Sequence, residues 1–164
     1  MSSSFYTSST MHPLVERVLE ARSQGKKIVL ATGVFDLLHE EHKAYLCAAK
    51  ESGDVLIVAI ESDVRVRELK GEGRPIHRQS KRLDAVRSLD CVDVAFVLPD
   101  DFKTKDAFRE LLHQFQPHIY ACSSHSSHLE VKRALMKEIG GEVCIVREHN
   151  PNISTTKIVE RSVQ

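Results

Sequence analysis

The sequence predicts an α/β fold: a single doubly wound, Rossmann-like sheet of five parallel strands with helices on both faces. The first observation is that short apolar runs rich in β-branched residues alternate with helix-length amphipathic segments. The second is length, because 164 residues with 41% hydrophobic content form one core and leave little room for another domain. We assign residues 11–164 to this domain and the Ser/Thr-rich residues 1–10 to a flexible tail.

Each predicted strand is an apolar run bounded by polar or turn-forming residues. The five runs are Lys27–Thr32, Val55–Ile60, Val94–Val97, Ile119–Cys122 and Val143–Val146. Amphipathic periodicity predicts helices over Pro13–Ser23, Glu40–Glu51, Ser80–Ser88, Lys105–Phe115 and Ser127–Ile139, and from about Thr155 onward. Such sheets bind ligands beyond the carboxyl ends of the strands, where the strand order reverses. The candidate functional residues are therefore those that directly follow the strands.

Charge and composition exclude several classes of partner. Lysine and arginine number 23, as do aspartate and glutamate, so the formal net charge is zero. A broad basic surface for nucleic acid or an anionic membrane is therefore not expected. No apolar run approaches the roughly 20 residues of a membrane-spanning helix. The cysteines lack a C-x-x-C pair, which favours reduced thiols in a cytoplasmic protein. They are Cys47, Cys91, Cys122 and Cys144.

Two histidines open the helix that follows the first predicted strand. His39 and His42 are three residues apart, so both imidazoles lie on one helical face. That face is at a helix N-terminus, where free backbone N–H groups and the macrodipole favour an anion. The spacing alone also fits two surface histidines, but the position after the first strand favours a phosphate site.

The last predicted helix begins with a run of hydroxyl side chains. Ser154 is a good N-cap, and Ile153 with Ile158 can form a hydrophobic staple. Lys157 stands in the first turn, where a cation opposes the macrodipole unless an anion binds there. The hydroxyls of residues 154–156 and the free backbone N–H groups could cradle a phosphate. The alternative is a capped helix with an exposed lysine.

The segment Arg65–Arg82 is strongly basic, with seven basic and two acidic residues. Within it, Lys70–Pro75 has the composition of a turn and predicts a mobile cationic arm that closes over a polyphosphate. The alternative is a solvated basic face, partly neutralised by nearby aspartates.

A cysteine and two histidines follow the fourth predicted strand with C-x-x-H-x-x-H spacing. Cys122, His125 and His128 could ligate zinc, with His149 as a fourth ligand only if the fold brings it near. The interpretation that we favour is a serine-rich substrate loop that runs into a helix. We therefore predict no resident metal ion on these side chains.

Two of these segments together resemble a known family. The sequence has no G-x-G-x-x-G, P-loop or nucleophile-elbow fingerprint, so phosphate binding needs another motif. Thr32–His42 and Ile153–Thr156 resemble the HxGH and ISTT motifs of the cytidylyltransferase-like branch of the nucleotidyltransferase superfamily. The resemblance extends from about Lys27 to the C-terminus. Further segments look most like the nucleotidyltransferase domain of bacterial ADP-heptose synthase, and next like glycerol-3-phosphate cytidylyltransferase. These segments are Lys70–Ile76, Val92–Asp93 and Gly140–Val143.

The resemblance implies a Mg²⁺-dependent enzyme that transfers a nucleoside monophosphate from ATP or CTP to a small phosphorylated acceptor, such as a sugar phosphate. Pyrophosphate would leave without a covalent enzyme intermediate, and catalysis would consist of positioning and charge stabilisation. Relatives are often dimers, so a homodimer is expected.

The resemblance also implies roles for individual residues. The implied catalytic residues are His39, His42 and Lys70. The implied nucleotide-binding residues are Gly33, Val34, Phe35, Arg74, Ser154, Thr155 and Thr156. The implied acceptor-binding residues are Asp36, Ser123, Ser124 and His125.

Three positions depart from the family's pattern. Glu41 stands where the histidine motif has glycine, so it either brings a negative charge toward the phosphates, turns outward or helps hold Mg²⁺. Ser123–Ser127 replaces a Gly-Asp substrate motif, which indicates a different acceptor. His149 replaces an arginine before the ISTT motif. Glu41 also supports the alternative of a non-catalytic nucleotide-binding or regulatory homologue.

Overall fold

Five parallel strands form one sheet in the order β3-β2-β1-β4-β5. The structure, a computed structural model, describes residues 5–148 and 150–162. The strands are β1 (Ile28–Gly33), β2 (Val55–Ile60), β3 (Val94–Val97), β4 (Ile119–Ser123) and β5 (Glu142–Arg147). The helices are α1 (His12–Ser23), α2 (Glu40–Glu51), α3 (Asp63–Lys70), α4 (Gln79–Arg87), α5 (Lys105–Phe115), α6 (Leu129–Glu138) and α7 (Thr155–Ser162). The predicted doubly wound α/β class is confirmed.

Two hydrophobic layers hold the helices against opposite faces of the sheet. Successive strand residues point to opposite faces, so Leu30 packs with α1, α5 and α6 while Val29 packs with α2 and α4. Most residues of β1 to β4 are buried on both faces, which is why these strands are continuous apolar runs in the sequence, whereas the edge strand β5 is half-buried to exposed. Within the described residues, no helix is long and apolar enough to cross a membrane.

The sequence prediction misses one helix, α3. Its residues alternate apolar and basic side chains at Val64–Arg67, a pattern without the apolar stripe of an amphipathic helix, and Val66 is its buried residue. The start is nevertheless well capped, because the Ser62 hydroxyl accepts a hydrogen bond from the Arg65 N–H at 3.2 Å. Lys70 is therefore the last residue of a helix, and the predicted mobile arm begins only after it.

The prediction of a flexible tail over residues 1–10 is wrong for its two aromatic residues. Tyr6 is only 3% exposed, and its ring meets Phe115 edge to face at 6.2 Å. Phe5 packs on Phe96 at 6.5 Å between ring centroids. The apolar area of the two rings outweighs the polar composition of their Ser and Thr neighbours. Residues 1–4 lie outside the described residues.

The strand order reverses between β1 and β4, which places a cleft at their carboxyl ends. These two strands pair only at Val29–Ile119 and Leu30–Tyr120, although β1 continues to Gly33 and β4 to Ser123. The strand ends therefore separate, as expected at the switch point of a doubly wound sheet. The polar segments that follow β1, β4 and β5 line this cleft.

Candidate functional site

A cavity of about 450 Å³ occupies the cleft. Its walls come from the β1–α2 turn, the loop after β4, the end of β5, the first turn of α7 and the region after α3. Of the residues that the sequence assigns to the site, all but Ser124 line this cavity. The structure thus brings the two family motifs together, although more than 100 residues of sequence separate them.

The β1–α2 turn folds an aromatic ring inward beneath the cavity. Phe35 has a φ of +51°, and its ring is buried against His42 and Tyr45 at centroid distances of 5.5 and 6.3 Å. A Cβ on Gly33 would lie 2.8 Å from this ring, so this position requires glycine. The segment Val34–Phe35 lies along the cavity wall, as the predicted phosphate contact requires.

The two predicted catalytic histidines stack on each other at the start of α2. The ring centroids of His39 and His42 are 3.7 Å apart and the ring planes differ by 17°. Both ring nitrogens of His39 and Nδ1 of His42 are buried and form no hydrogen bond within the described residues. Burial lowers the pKa of His39 and, together with the charge of His39, lowers the pKa of His42 to about 4. At neutral pH the pair is therefore uncharged and has unused hydrogen-bonding capacity.

Asp36 is predicted to bind the acceptor, but in the structure its carboxylate anchors the segment Arg74–His77. The carboxylate is 1% exposed and accepts the backbone N–H groups of Ile76 at 2.7 Å and His77 at 2.9 Å. Nε of Arg74 donates to it at 3.2 Å. Burial opposes ionisation, but these hydrogen bonds outweigh it and lower the pKa of Asp36. The side chain therefore positions the cavity wall.

Arg82, the last residue of the basic segment Arg65–Arg82, is a buried structural residue. It is 1% exposed and donates to the carbonyl oxygens of Val34 at 2.7 Å and His77 at 3.0 Å. It also pairs with Asp63 at 2.9 Å. Arg82 thus connects the β1–α2 turn, α3 and the loop before α4, and it does not belong to a solvated basic face.

The hydroxyl run at the start of α7 faces the cavity and is tied to the β1–α2 turn. The Ser154 hydroxyl accepts the Lys157 N–H at 3.2 Å, which confirms the predicted N-cap. The Thr155 hydroxyl donates to the backbone carbonyl of Asp36 at 2.7 Å. The Lys157 ammonium donates to the carbonyl of Pro151, so a protein group partly satisfies the cation at this helix start.

Glu41, at the position of the motif glycine, is paired with an arginine that the sequence analysis did not consider. Nε and Nη2 of Arg147, at the end of β5, donate to the two carboxylate oxygens at 3.0 and 3.1 Å. These hydrogen bonds, with a further one from Asn150, lower the pKa of Glu41. The carboxylate therefore neither turns outward nor remains uncompensated beside the cavity.

The serine-rich loop after β4 contributes in part to the cavity. Ser123 and His125 line it, whereas Ser124 donates its backbone N–H to the carbonyl of Arg147 at 3.0 Å. Within residues 5–148 and 150–162, no three His, Cys, Asp or Glu side chains are grouped to hold a metal ion. Cys122 is buried in the core, and His149 lies outside the described residues.

Lys132 is a cavity residue that the sequence analysis missed. Its ammonium donates to the Ser126 hydroxyl at 2.8 Å and lies 5.4 Å from the centroid of the Tyr120 ring. Burial lowers the pKa of Lys132. A signal was present, because Lys132 lies with Leu129 and Met136 at helical spacing on the apolar side of α6. A lysine within such a stripe indicates a cation that is directed inward.

Comparison with known proteins agrees with this geometry. Residues 30–161 match the family described as cytidylyltransferase-like, and the chain belongs to that family. It is 36% identical over 144 residues to the bifunctional protein HldE of Pelobacter propionicus, which covers 87% of this chain and 28% of that protein. It is 37% identical over 153 residues to HldE of Helicobacter pylori, with 92% and 31% covered. The chain thus spans less than a third of the length of these relatives.

Solved structures show the same fold. The lipopolysaccharide core biosynthesis protein of Thermoplasma volcanium superposes with a TM-score of 0.62 at 29% identity, over 75% of this chain and 96% of that one. Pantothenate synthetase of Thermus thermophilus superposes with a TM-score of 0.60 at 16% identity, over 86% and 65% of the two chains, and supports the fold alone. These superpositions agree with the parallel α/β sheet of this chain.

Proposed function

We propose that this protein transfers a nucleoside monophosphate from ATP or CTP to the phosphate of a small acceptor, with release of pyrophosphate. The observation that carries the proposal is the stacked pair His39 and His42, at a cavity that residues 154–156 also line. Three of the four ring nitrogens have no hydrogen-bond partner among the described residues. Buried polar groups are rarely left unsatisfied, so these nitrogens support a ligand site here. The start of α7 suits the phosphates of that ligand.

The chemistry requires no nucleophile from the protein. An oxygen of the acceptor's phosphate attacks the α-phosphorus, a new P–O bond forms, and the bond to the bridging oxygen of pyrophosphate breaks. The protein holds the reactants in line and stabilises negative charge with the histidines, Lys70 and Arg74. A bound triphosphate would raise the pKa of both histidines, because an adjacent anion favours the imidazolium.

We further propose a sugar phosphate as the acceptor. The similar Thermoplasma volcanium protein is described as a lipopolysaccharide core biosynthesis protein, and such a core is built of sugars. Lys132 and the neighbouring serine hydroxyls offer a cation and polar contacts at the end of the cavity formed by β4. We expect a homodimer in the cytoplasm that acts on small molecules and not on nucleic acid.

Mg²⁺ is proposed as the counter-ion of the triphosphate. It is usually bound by one or two carboxylates together with substrate phosphates. Among the described residues, the carboxylates that line the cavity are Asp36, Glu41 and Glu148. Arginines engage the first two, whereas Glu148 is exposed at the rim. The donor set thus fits an ion that is held mainly by the nucleotide, and Mg²⁺ would supply charge neutralisation of the phosphates.

The direct test combines binding with turnover. Each of the four nucleoside triphosphates is added with Mg²⁺, and the shift in thermal unfolding identifies the nucleotide, because a bound ligand stabilises the folded state. That nucleotide is then incubated with a panel of sugar phosphates, and pyrophosphate release is followed. We expect release with at least one acceptor and its loss in His39→Ala. Failure of every triphosphate to bind at millimolar concentration would contradict the proposal.

A second candidate function is a non-catalytic nucleotide-binding or regulatory protein on the same fold. It is favoured by Glu41, which fills the position of the motif glycine and lines the cavity. Glu41→Gly distinguishes the two candidates. Strong turnover by the natural protein excludes the second candidate, whereas turnover that appears only in Glu41→Gly supports it.

A further inference from the structure

The pair formed by Glu41 and Arg147 spans the cavity wall from the start of α2 to the end of β5. Both side chains line the cavity, with 20% and 38% of their surfaces exposed. The two residues lie 106 positions apart in the sequence, and the fold brings them together next to the histidine pair. An acidic residue at the motif glycine therefore occurs together with a basic residue that faces it.

Only one edge of the guanidinium is used in this pair. Glu41 accepts from Nε and Nη2 of Arg147, which uses two of the five N–H donors of an arginine. Nη1 forms no hydrogen bond within the described residues. Arg74 is held in the same way, with Nε and Nη2 directed to Asp36 at 3.2 Å. Two arginines of one cavity are thus fixed by carboxylates while each keeps N–H donors for another acceptor.

The backbone at Arg147 is shaped for this arrangement. The pairing of β4 with β5 is regular up to Cys122–Ile145 and then shifts, so that Ser123 lies opposite Arg147. Such an irregularity redirects a side chain that regular alternation would send to the other face. The Ser124 N–H bonds the Arg147 carbonyl at 3.0 Å and fixes the residue there.

We propose that Arg147 is a phosphate ligand of the nucleotide site, and that Glu41 is the counter-ion that keeps its guanidinium at the cavity wall. This inference rests on the proposed function. Arginine suits such a role because its planar fork forms two charge-assisted hydrogen bonds with a phosphate. Glu41 then replaces glycine without adding net charge to the site, because its own charge is balanced by Arg147.

Four proteins test the proposal: the natural chain, Glu41→Gly, Arg147→Met and the double variant. The probes are inorganic tripolyphosphate and the preferred nucleoside triphosphate, each with Mg²⁺, and the dissociation constants are measured by calorimetry. The comparison that matters is Arg147→Met in the Glu41→Gly background, where no carboxylate is left for the arginine to neutralise. We expect both probes to bind about 10- to 100-fold more weakly in the double variant than in Glu41→Gly.

Equal affinity of the double variant and Glu41→Gly for both probes would overturn the proposal, because Arg147 would then only neutralise Glu41. Arg147→Lys in the same background, which keeps a cation but loses the fork, should bind with intermediate affinity. The matched control is Arg109→Met, which removes a similar side-on pair with Glu138 on the surface and should not change affinity. If the natural chain binds neither probe, the proposed function fails as well; if it binds and the double variant matches Glu41→Gly, only this inference fails.

Discussion

Two pairs of polar side chains near the β1–α2 turn differ in how their hydrogen bonds are satisfied. Asp36 and Arg82 are each 1% exposed, and together they form six hydrogen bonds with described groups. His39 and His42 have three buried ring nitrogens without a partner among those groups. Buried polar groups in folded proteins are almost always paired. The comparison therefore separates Asp36 and Arg82, whose hydrogen bonds hold this region together, from His39 and His42, whose unpaired nitrogens support the proposed ligand site.

Removal of Arg82 should have the largest effect on stability. Arg82→Met keeps much of the side-chain volume but leaves Asp63 and the carbonyl oxygens of Val34 and His77 without their donor. The Asp63 side chain is 27% exposed and can be hydrated, but each carbonyl left without its donor costs about 1–3 kcal/mol of unfolding free energy. Urea unfolding measures it, and Arg67→Met on the exposed surface of α3 should change stability by less than about 0.5 kcal/mol. A loss below about 1 kcal/mol for Arg82→Met would show that Arg82 is not structural.

His42→Asn should show the opposite behaviour, with a large effect on turnover and a small one on stability. The imidazole forms no hydrogen bond through Nδ1 in the described part of the chain, so its removal disrupts little of the fold. Loss of a group that stabilises transition-state charge typically lowers kcat by about 10²–10³-fold. Pyrophosphate release measures kcat, and His12→Asn on exposed α1 serves as control. Unfolding of the variant at much lower urea with unchanged kcat would place His42 with the structural pair.

The elements of the fold were predictable because they depend on local apolar patterns. The runs Val55–Ile60 and Val94–Val97 are strands over the predicted residues, and α2 and α5 have the predicted bounds. Each contains an apolar face of its own that packs on a sheet or on helices. The N-cap at Ser154 was equally local, since a cap involves residues three positions apart.

The features that escaped prediction depend on contacts between distant residues. The carboxylate of Asp36 bonds residues about 40 positions further along the chain, and the Glu41–Arg147 pair closes over 106 positions. Periodicity and motif spacing carry no information on such pairs. Resemblance identified both motifs and predicted an acceptor role for Asp36, but it could not show that both carboxylate oxygens accept hydrogen bonds from the segment Arg74–His77.

The pH dependence of stability distinguishes the buried histidines from the structural residues Asp36 and Arg82. Burial holds the pKa of His42 at about 4 in the folded chain, and among the facing groups His39 lowers it further while Asp36 and Glu41 raise it. The unfolded pKa is about 6.5, so the unfolded chain binds more protons as the pH falls from about 6.5 toward 4. This contribution to stability is therefore complete above pH 6.5 and is lost on acidification.

When the pH falls from 7 to 5, protonation of His42 in the unfolded chain should lower the free energy of unfolding by about 2 kcal/mol. His39 and His118, whose pKa values burial also lowers, act in the same direction. Urea unfolding of the natural chain and of His42→Asn at both pH values isolates the share of His42. The same pH dependence in both proteins would mean that His42 is not buried in its neutral form.

Ser154 both forms a structural hydrogen bond and lines the cavity, and removal of its hydroxyl should have the smallest effect on stability. Its hydroxyl caps α7 through the Lys157 N–H and also lines the cavity. Ser154→Ala should cost about 1 kcal/mol, and because no residue of α7 is buried, this cost should fall on the helix alone. We expect hydrogen exchange at Lys157 and the next amides to become about fivefold faster while global unfolding is unchanged. Ser162→Ala, at the other end of α7, is the control, and bound nucleotide should restore protection only if the α7 start holds its phosphates.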